Sequence, residues 1–105
     1  MDIEIVLDTN LTPEQVAEIA VVAEKGEIRT LWHSNIGGTW DPFVTLVPAA
    51  MATKKIKLGV LAVSPYEMHP LKIASSILSL NEIANGRAIV AIGGGGSVLI
   101  TTRSR

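Results

Sequence analysis

The strongest constraint on the fold is an alternation along the chain of short strand-like apolar runs and helix-like segments. The apolar runs begin near Ile3, Ile28, Ile56 and Ala88, and the first three are each followed by apolar residues at helical spacing. Strands that alternate with helices form a parallel sheet with right-handed crossovers. The sequence therefore predicts an α/β protein. Length and periodicity leave two architectures open, a doubly wound sheet and a barrel.

The first helix carries start and stop signals. Thr12 precedes Pro13, and Gln15 follows three residues after Thr12. This spacing is typical of a capping box, in which the hydroxyl accepts from the backbone and the Gln side chain bonds back. Gly26 is predicted to end the helix in the left-handed conformation that glycine adopts without strain.

The second and third helices repeat the same pattern. Asp41 precedes Pro42, and His69 precedes Pro70, so each polar residue is predicted to cap a helix that begins with proline. Pro48 lies inside the second helix, where it removes a backbone hydrogen bond. We expect one bent helix there rather than two separate ones.

Composition and charge exclude several classes of function. The chain has 105 residues, a formal net charge of -1 and no cysteine. So small a net charge gives no field to attract nucleic acid or an anionic membrane, and without cysteine there are no disulfides and no thiol catalysis. No apolar run reaches the roughly twenty residues of a membrane span, and Asp2 and Glu4 replace the basic start of a signal peptide. We expect a cytoplasmic protein without nucleic-acid or membrane partners.

Several short motifs then follow one another in a distinctive order. They occupy residues 41–46, 56–59, 64–66, 69–70 and 80–88, and the last leads into 92–93 and further glycine. In this order and spacing they resemble the N-terminal half of the luciferase-like family of flavin- and deazaflavin-dependent oxidoreductases. Among its members, the pattern is most similar to the methylene-tetrahydromethanopterin reductase-like proteins. The resemblance covers residues 1 to about 96.

The resemblance implies a (β/α)8 barrel, the TIM barrel fold, and so decides between the two architectures. Such barrels need roughly 250 residues, so the chain is expected to hold the first four βα units. We assign residues 1–96 to the N-terminal half of a barrel domain and residues 97–105 to an irregular tail. The four strands are expected side by side in the order 1-2-3-4, with an open edge at the first and the fourth.

The candidate site follows from the fold, because barrel enzymes place their sites at the C-terminal ends of the strands. His33 is predicted at the barrel mouth, in a loop after the second strand, where its imidazole is expected to contact the cofactor. The family usually has an Asp-His pair here, and the matching positions are Asn35 and Ile36. Leu61 and Ala62 align with a non-proline cis peptide that the family often carries in a bulge behind the cofactor ring.

Ser64 and a run of glycines complete the candidate site. The Ser64 hydroxyl is expected either to contact the cofactor or to cap a turn. The glycines at 93–96 let backbone N–H groups approach a ring or phosphate closely. His33 and His69 lie without nearby cysteines or paired carboxylates, so we expect no metal site, and no catalytic residue is identified. The predicted cofactor-binding residues are His33, Leu61, Ala62, Ser64, Gly93, Gly94 and Gly95.

The resemblance implies an oxidoreductase that uses reduced FMN or a deazaflavin (coenzyme F-420). The reaction is then hydride transfer or flavin-based monooxygenation of a small organic substrate. Two alternatives stay open: a non-catalytic truncated half-barrel and a small nucleotide-binding α/β domain. Because a half-barrel exposes strand edges and an apolar inner face, we expect these 105 residues alone to be inactive and to form homodimers or aggregates.

Overall fold

A five-stranded sheet with three helices packed on one of its faces forms the fold. The computed structural model describes residues 2–93 and 99–103. The helices are α1 (Pro13–Lys25), α2 (Pro42–Ala52) and α3 (Pro70–Ile83). The strands are β1 (Glu4–Leu7), β2 (Thr30–Ser34), β3 (Lys57–Val63), β4 (Ala88–Gly93) and β5 (Leu99–Arg103).

The sheet order agrees with the prediction for the first four strands and differs from it afterwards. β1, β2, β3 and β4 are adjacent in sequence order and parallel. β5 pairs antiparallel with β4 and covers the edge that was expected to be open. It also lies where an irregular tail was expected. The run Ile100-Thr101-Thr102 has high strand propensity, and the free edge of β4 offers it unpaired backbone groups.

One face of the sheet carries the hydrophobic core. The register sets Leu31 beside Leu58 and Val60 beside Val90, and all four side chains are buried. Burial of such side chains contributes about 1.5–3 kcal/mol each, which fixes the helices on this face. The helices supply the opposing side chains, including Val16, Ala20, Leu46, Ile73, Ile77 and Leu80.

The opposite face of the sheet, the inner face, carries Val6, Trp32 and Gly59 on neighbouring strands. Val6 is 59% exposed, and its neighbour Trp32 is half-buried. The Trp32 indole N–H donates to the Glu4 carboxylate at 2.8 Å. Gly59 lies beside Trp32 in the register, and a Cβ built on Gly59 would overlap the indole ring. Glycine at this position therefore lets the indole pack closely against β3.

The predicted helix starts are confirmed. Thr12 Oγ1 accepts from the backbone N–H of Gln15 at 3.2 Å, and the Gln15 side chain accepts from the Thr12 N–H at 2.9 Å. Asp41 caps α2, and His69 Nδ1 accepts from the Leu71 N–H at the start of α3, at 3.1 Å. α2 runs through Pro48 as one helix, as expected.

The end of α1 corrects the prediction for Gly26. Gly26 has φ −84°, and the left-handed residue is Glu27, with φ 62°. The Gly26 N–H continues the helical pattern by donating to Val22, so the reversal falls one residue later. The Ile28 N–H then donates to the Ala23 carbonyl at 3.0 Å, which completes a Schellman motif with Glu27 at the left-handed position.

Two charged side chains hold the N-terminal edge of the sheet together. Glu24, near the end of α1, accepts through one carboxylate oxygen from the N–H groups of Lys54, Lys55 and Ile56 at 2.8, 2.6 and 3.0 Å. These bonds, led by that from Lys55, lower the pKa of Glu24, while partial burial opposes them. Glu24 therefore ties α1 to the segment that enters β3.

Arg87 makes a second set of contacts at the same edge. Its guanidinium donates to the carbonyl oxygens of Ala84, Ile56, Ala50 and Thr53 at 2.7–3.0 Å, and to the Thr53 hydroxyl at 2.8 Å. Burial lowers the pKa of Arg87, and the nearby Glu24 carboxylate opposes this shift. Arg87 therefore joins the ends of α2 and α3 to the start of β3.

Candidate functional site

His33 does not lie in a loop after the second strand, as was predicted. It is inside β2, fully buried, and lies beside Leu7 and Val60 on the helix-facing side of the sheet. Its Nδ1 is 2.6 Å from the Ser34 carbonyl oxygen, so Nδ1 carries the hydrogen and donates. Nε2 has no hydrogen-bond partner among the residues the structure describes. The strand was predicted to end at Trp32 because the next residue, His33, is polar. The fold instead continues the strand and buries the imidazole in the core.

A bulge interrupts β3 at the predicted position. Leu61 pairs with Ala91 and Val63 pairs with Ile92, so Ala62 is an extra residue between them. The Leu61–Ala62 peptide bond is cis, as the resemblance predicted. Val63 returns to the buried core, and Leu61 and Ala62 remain half-buried at the C-terminal edge of the sheet.

Asn35 binds both carbonyl groups of this bulge. Its backbone N–H donates to the Leu61 carbonyl at 2.8 Å, and its side-chain Nδ2 donates to the Ala62 carbonyl at 3.1 Å. Asn35 was noted in the sequence only as a departure from the Asp-His pair of the family. An amide side chain directly after a strand, at the edge where barrel sites lie, is the signal that would have identified it.

Ser64 and Gly93 lie at the same edge as the bulge. The Ser64 hydroxyl accepts from the Tyr66 N–H at 3.2 Å, so its turn-capping role is confirmed. A Cβ built on Gly93 would lie 3.7 Å from the Ala62 Cβ, which makes the end of β4 a direct neighbour of the bulge. Gly94 and Gly95 fall outside the described residues. The fold thus places Leu61, Ala62, Ser64 and Gly93 at one edge of the sheet and leaves His33 in the core.

An open cleft of about 620 Å³ lies at the C-terminal edge as well. It is bounded on one side by the residues that follow β1 and on the other by the connection from β2 to α2. Among residues 2–93 and 99–103 no cluster of histidine and acidic side chains is suited to a metal ion. The helices in that part of the chain are all too short or too polar to cross a bilayer. The cleft is lined by Thr9, Asn10, Gly38, Thr39, Trp40, Asp41 and Val44.

Four parallel strands adjacent in chain order, with helices on one face, are the arrangement of a segment of a (β/α) barrel, a fold that carries its sites at the C-terminal ends of the strands. The sequence profile of the luciferase-like monooxygenase family matches residues 3–104. The chain belongs to this family.

Individual relatives agree with that assignment. The chain is 40% identical over 81 residues to the 5,10-methylenetetrahydromethanopterin reductase of Methanolobus tindarius. The aligned region covers 77% of this chain and 25% of the relative. It is 37% identical over 83 residues to the enzyme of the same name from Methanopyrus kandleri, covering 79% of this chain and 24% of the relative. The chain therefore spans about a quarter of the length of the curated relatives it matches.

Solved structures confirm the fold. The coenzyme F-420-dependent tetrahydromethanopterin reductase from Methanopyrus kandleri superimposes with a TM-score of 0.85 and 35% identity, over 90% of this chain and 27% of the reductase chain. The oxygenating constituent of 3,6-diketocamphane monooxygenase from Pseudomonas putida, solved with FMN, superimposes with a TM-score of 0.76 and 24% identity. The match covers 91% of this chain and 30% of the monooxygenase chain. The four parallel strands correspond to the start of a TIM barrel, as predicted.

Proposed function

We propose that this chain supplies the first part of the barrel of an oxidoreductase that binds a reduced flavin or deazaflavin at the carboxyl ends of β3 and β4. The observation that carries the proposal is the β3 bulge, with half-buried Leu61 and Ala62 directly beside Gly93. One similar structure supports it, since the reductase that is 35% identical to this chain is named as coenzyme F-420-dependent.

The residues at this edge suit a planar ring. Ala62 and Gly93 are small and adjacent, so neither residue brings a long side chain to the surface they share. A half-buried apolar surface made of small residues favours contact with the face of an aromatic ring system. Ser64 accepts from Tyr66 through its hydroxyl oxygen, and a hydroxyl that accepts can still donate its own hydrogen. Backbone N–H groups of Gly93, Gly94 and Gly95 are the further donors we assign to the cofactor.

The bound ring would carry the redox step, and the protein residues bind and orient it. Hydride transfer between a deazaflavin and a small organic substrate is the reaction we favour. The two curated relatives described above are both named as reductases, at 40% and 37% identity. The FMN-complexed monooxygenase, at 24% identity, supports the shared fold only. Oxygen activation by FMN is the second candidate, because the matching family profile is that of luciferase-like monooxygenases.

A fluorescence titration tests the proposal. The complete product of the gene that encodes this chain is purified without cofactor and titrated separately with FMN and with the deazaflavin. We expect saturable quenching of the ring fluorescence, stronger with the deazaflavin. Binding of neither ring would contradict the proposed function, and tighter binding of FMN would favour the monooxygenase reaction.

A further inference from the structure

We propose that Asn35 is a positioning residue, which holds the β3 bulge in the conformation that receives the cofactor ring. Asn35 donates to both carbonyl oxygens of the bulge, from its backbone to Leu61 at 2.8 Å and from its side chain to Ala62 at 3.1 Å. The inference rests on the proposed function and extends it to a residue outside the predicted cofactor-binding set.

The bulge needs a donor of this kind. An extra residue in a strand leaves backbone groups without their ladder partners, and partly buried carbonyl groups are stabilised when they find a new donor. The Asn35 N–H continues the β2–β3 ladder as far as Leu61. The ladder does not reach the next carbonyl, of Ala62, and the Asn35 amide side chain supplies its bond.

His33 supports Asn35 from the opposite side. The Ser34 carbonyl and the Asn35 N–H belong to one planar peptide unit and point in opposite directions. His33 Nδ1–H donates to the Ser34 carbonyl at 2.6 Å, while the Asn35 N–H donates to Leu61. The buried imidazole therefore fixes the orientation of the peptide that carries Asn35. In this arrangement His33 acts on the ring site through Asn35.

The amide N–H is the part of Asn35 that the proposal requires. Asn35→Asp keeps the shape and replaces the donor with an oxygen that repels the Ala62 carbonyl. Asn35→Ala removes the side chain altogether. Glu18→Ala is the control, because Glu18 is an exposed side chain on α1, outside the candidate site. All variants are made in the complete gene product.

The first readout is amide hydrogen exchange without cofactor. In Asn35→Asp and Asn35→Ala we expect exchange over residues 58–63 to rise about tenfold, which corresponds to loss of one buried hydrogen bond. Exchange in α1 and at the N-terminal edge stays unchanged. Exchange that rises uniformly through the chain would show that Asn35 only stabilises the whole sheet, and would overturn the inference. So would unchanged exchange at the bulge.

The second readout is the dissociation constant of the ring, from the fluorescence titration. We expect both Asn35 variants to bind about tenfold more weakly, and Glu18→Ala to bind like the wild type. Faster exchange at the bulge with an unchanged dissociation constant would overturn the link between Asn35 and the ring. If the wild type binds no ring, the proposed function fails and this link fails with it. The exchange result then still decides whether Asn35 holds the bulge.

Discussion

Single residues determine how closely the strands approach on the inner face of the sheet. The Trp32 indole packs against Gly59, and any side chain at residue 59 would occupy the space of the indole ring. We expect Gly59→Ala to lower the free energy of unfolding by about 2 kcal/mol, since overpacking costs 1–3 kcal/mol. Urea denaturation measures this. The control is Gly37→Ala, where an added Cβ meets no atom within 4 Å. Equal stability of the two variants would show that Trp32 moves aside without cost.

The candidate site could be predicted from the sequence only in part, for reasons that differ between residues. Leu61 and Ala62 were found through the family resemblance, because a bulge leaves no periodic signal of its own. His33 was misplaced because a polar residue at a strand end resembles a loop residue, and its burial depends on the helices above it. Asn35 acts through contacts to residues 26 and 27 positions later in the chain. Local patterns do not reveal such contacts.

At the scale of elements, the helix starts were more predictable than the end of α1. Capping by Thr12, Asp41 and His69 is local chemistry within three residues of the helix start. The end of α1 depends on a left-handed residue that the sequence assigned to Gly26 and the structure assigns to Glu27. β5 was not predicted, because its pairing requires the edge of β4.

We expect the stability that the Glu24 hydrogen bonds between α1 and the start of β3 provide to depend on pH. Three N–H groups bind the ionised Glu24 carboxylate and lower its pKa in the folded chain. The contribution of the Glu24 carboxylate to folding stability is therefore fully present above the ordinary glutamate pKa near 4.5. It is lost as the pH falls through the lowered pKa that Glu24 has in the folded chain. We expect Glu24→Gln to cost about 1 kcal/mol at pH 7 and almost nothing below that folded-state value.

Urea denaturation at a series of pH values checks this prediction for Glu24. Glu18→Gln, an exposed change on the same helix, is the control and should be nearly neutral at every pH. A Glu24→Gln cost that does not vary with pH would show that the carboxylate charge is unimportant at the N-terminal edge.

At the scale of the whole molecule, the 105 residues lack the strands that would close a barrel. β1 lies at one edge of the sheet, and Val6 on its inner face is 59% exposed. Open edges and exposed apolar faces promote self-association. We propose that the 105-residue chain alone forms dimers or aggregates and shows no turnover. Sizing chromatography and a cofactor-reduction assay check this, and a monomer with turnover would contradict it.

The central claim is that the cofactor ring lies against the bulge of β3 and the end of β4. Gly93→Val tests it most directly, because the added methyl groups extend beyond a Cβ that already lies 3.7 Å from Ala62. Gly37→Val is the control, in an exposed loop. In the fluorescence titration of the complete gene product we expect Gly93→Val to weaken ring binding about tenfold or more, while the control binds like the wild type. Equal binding by all three proteins would contradict the claim.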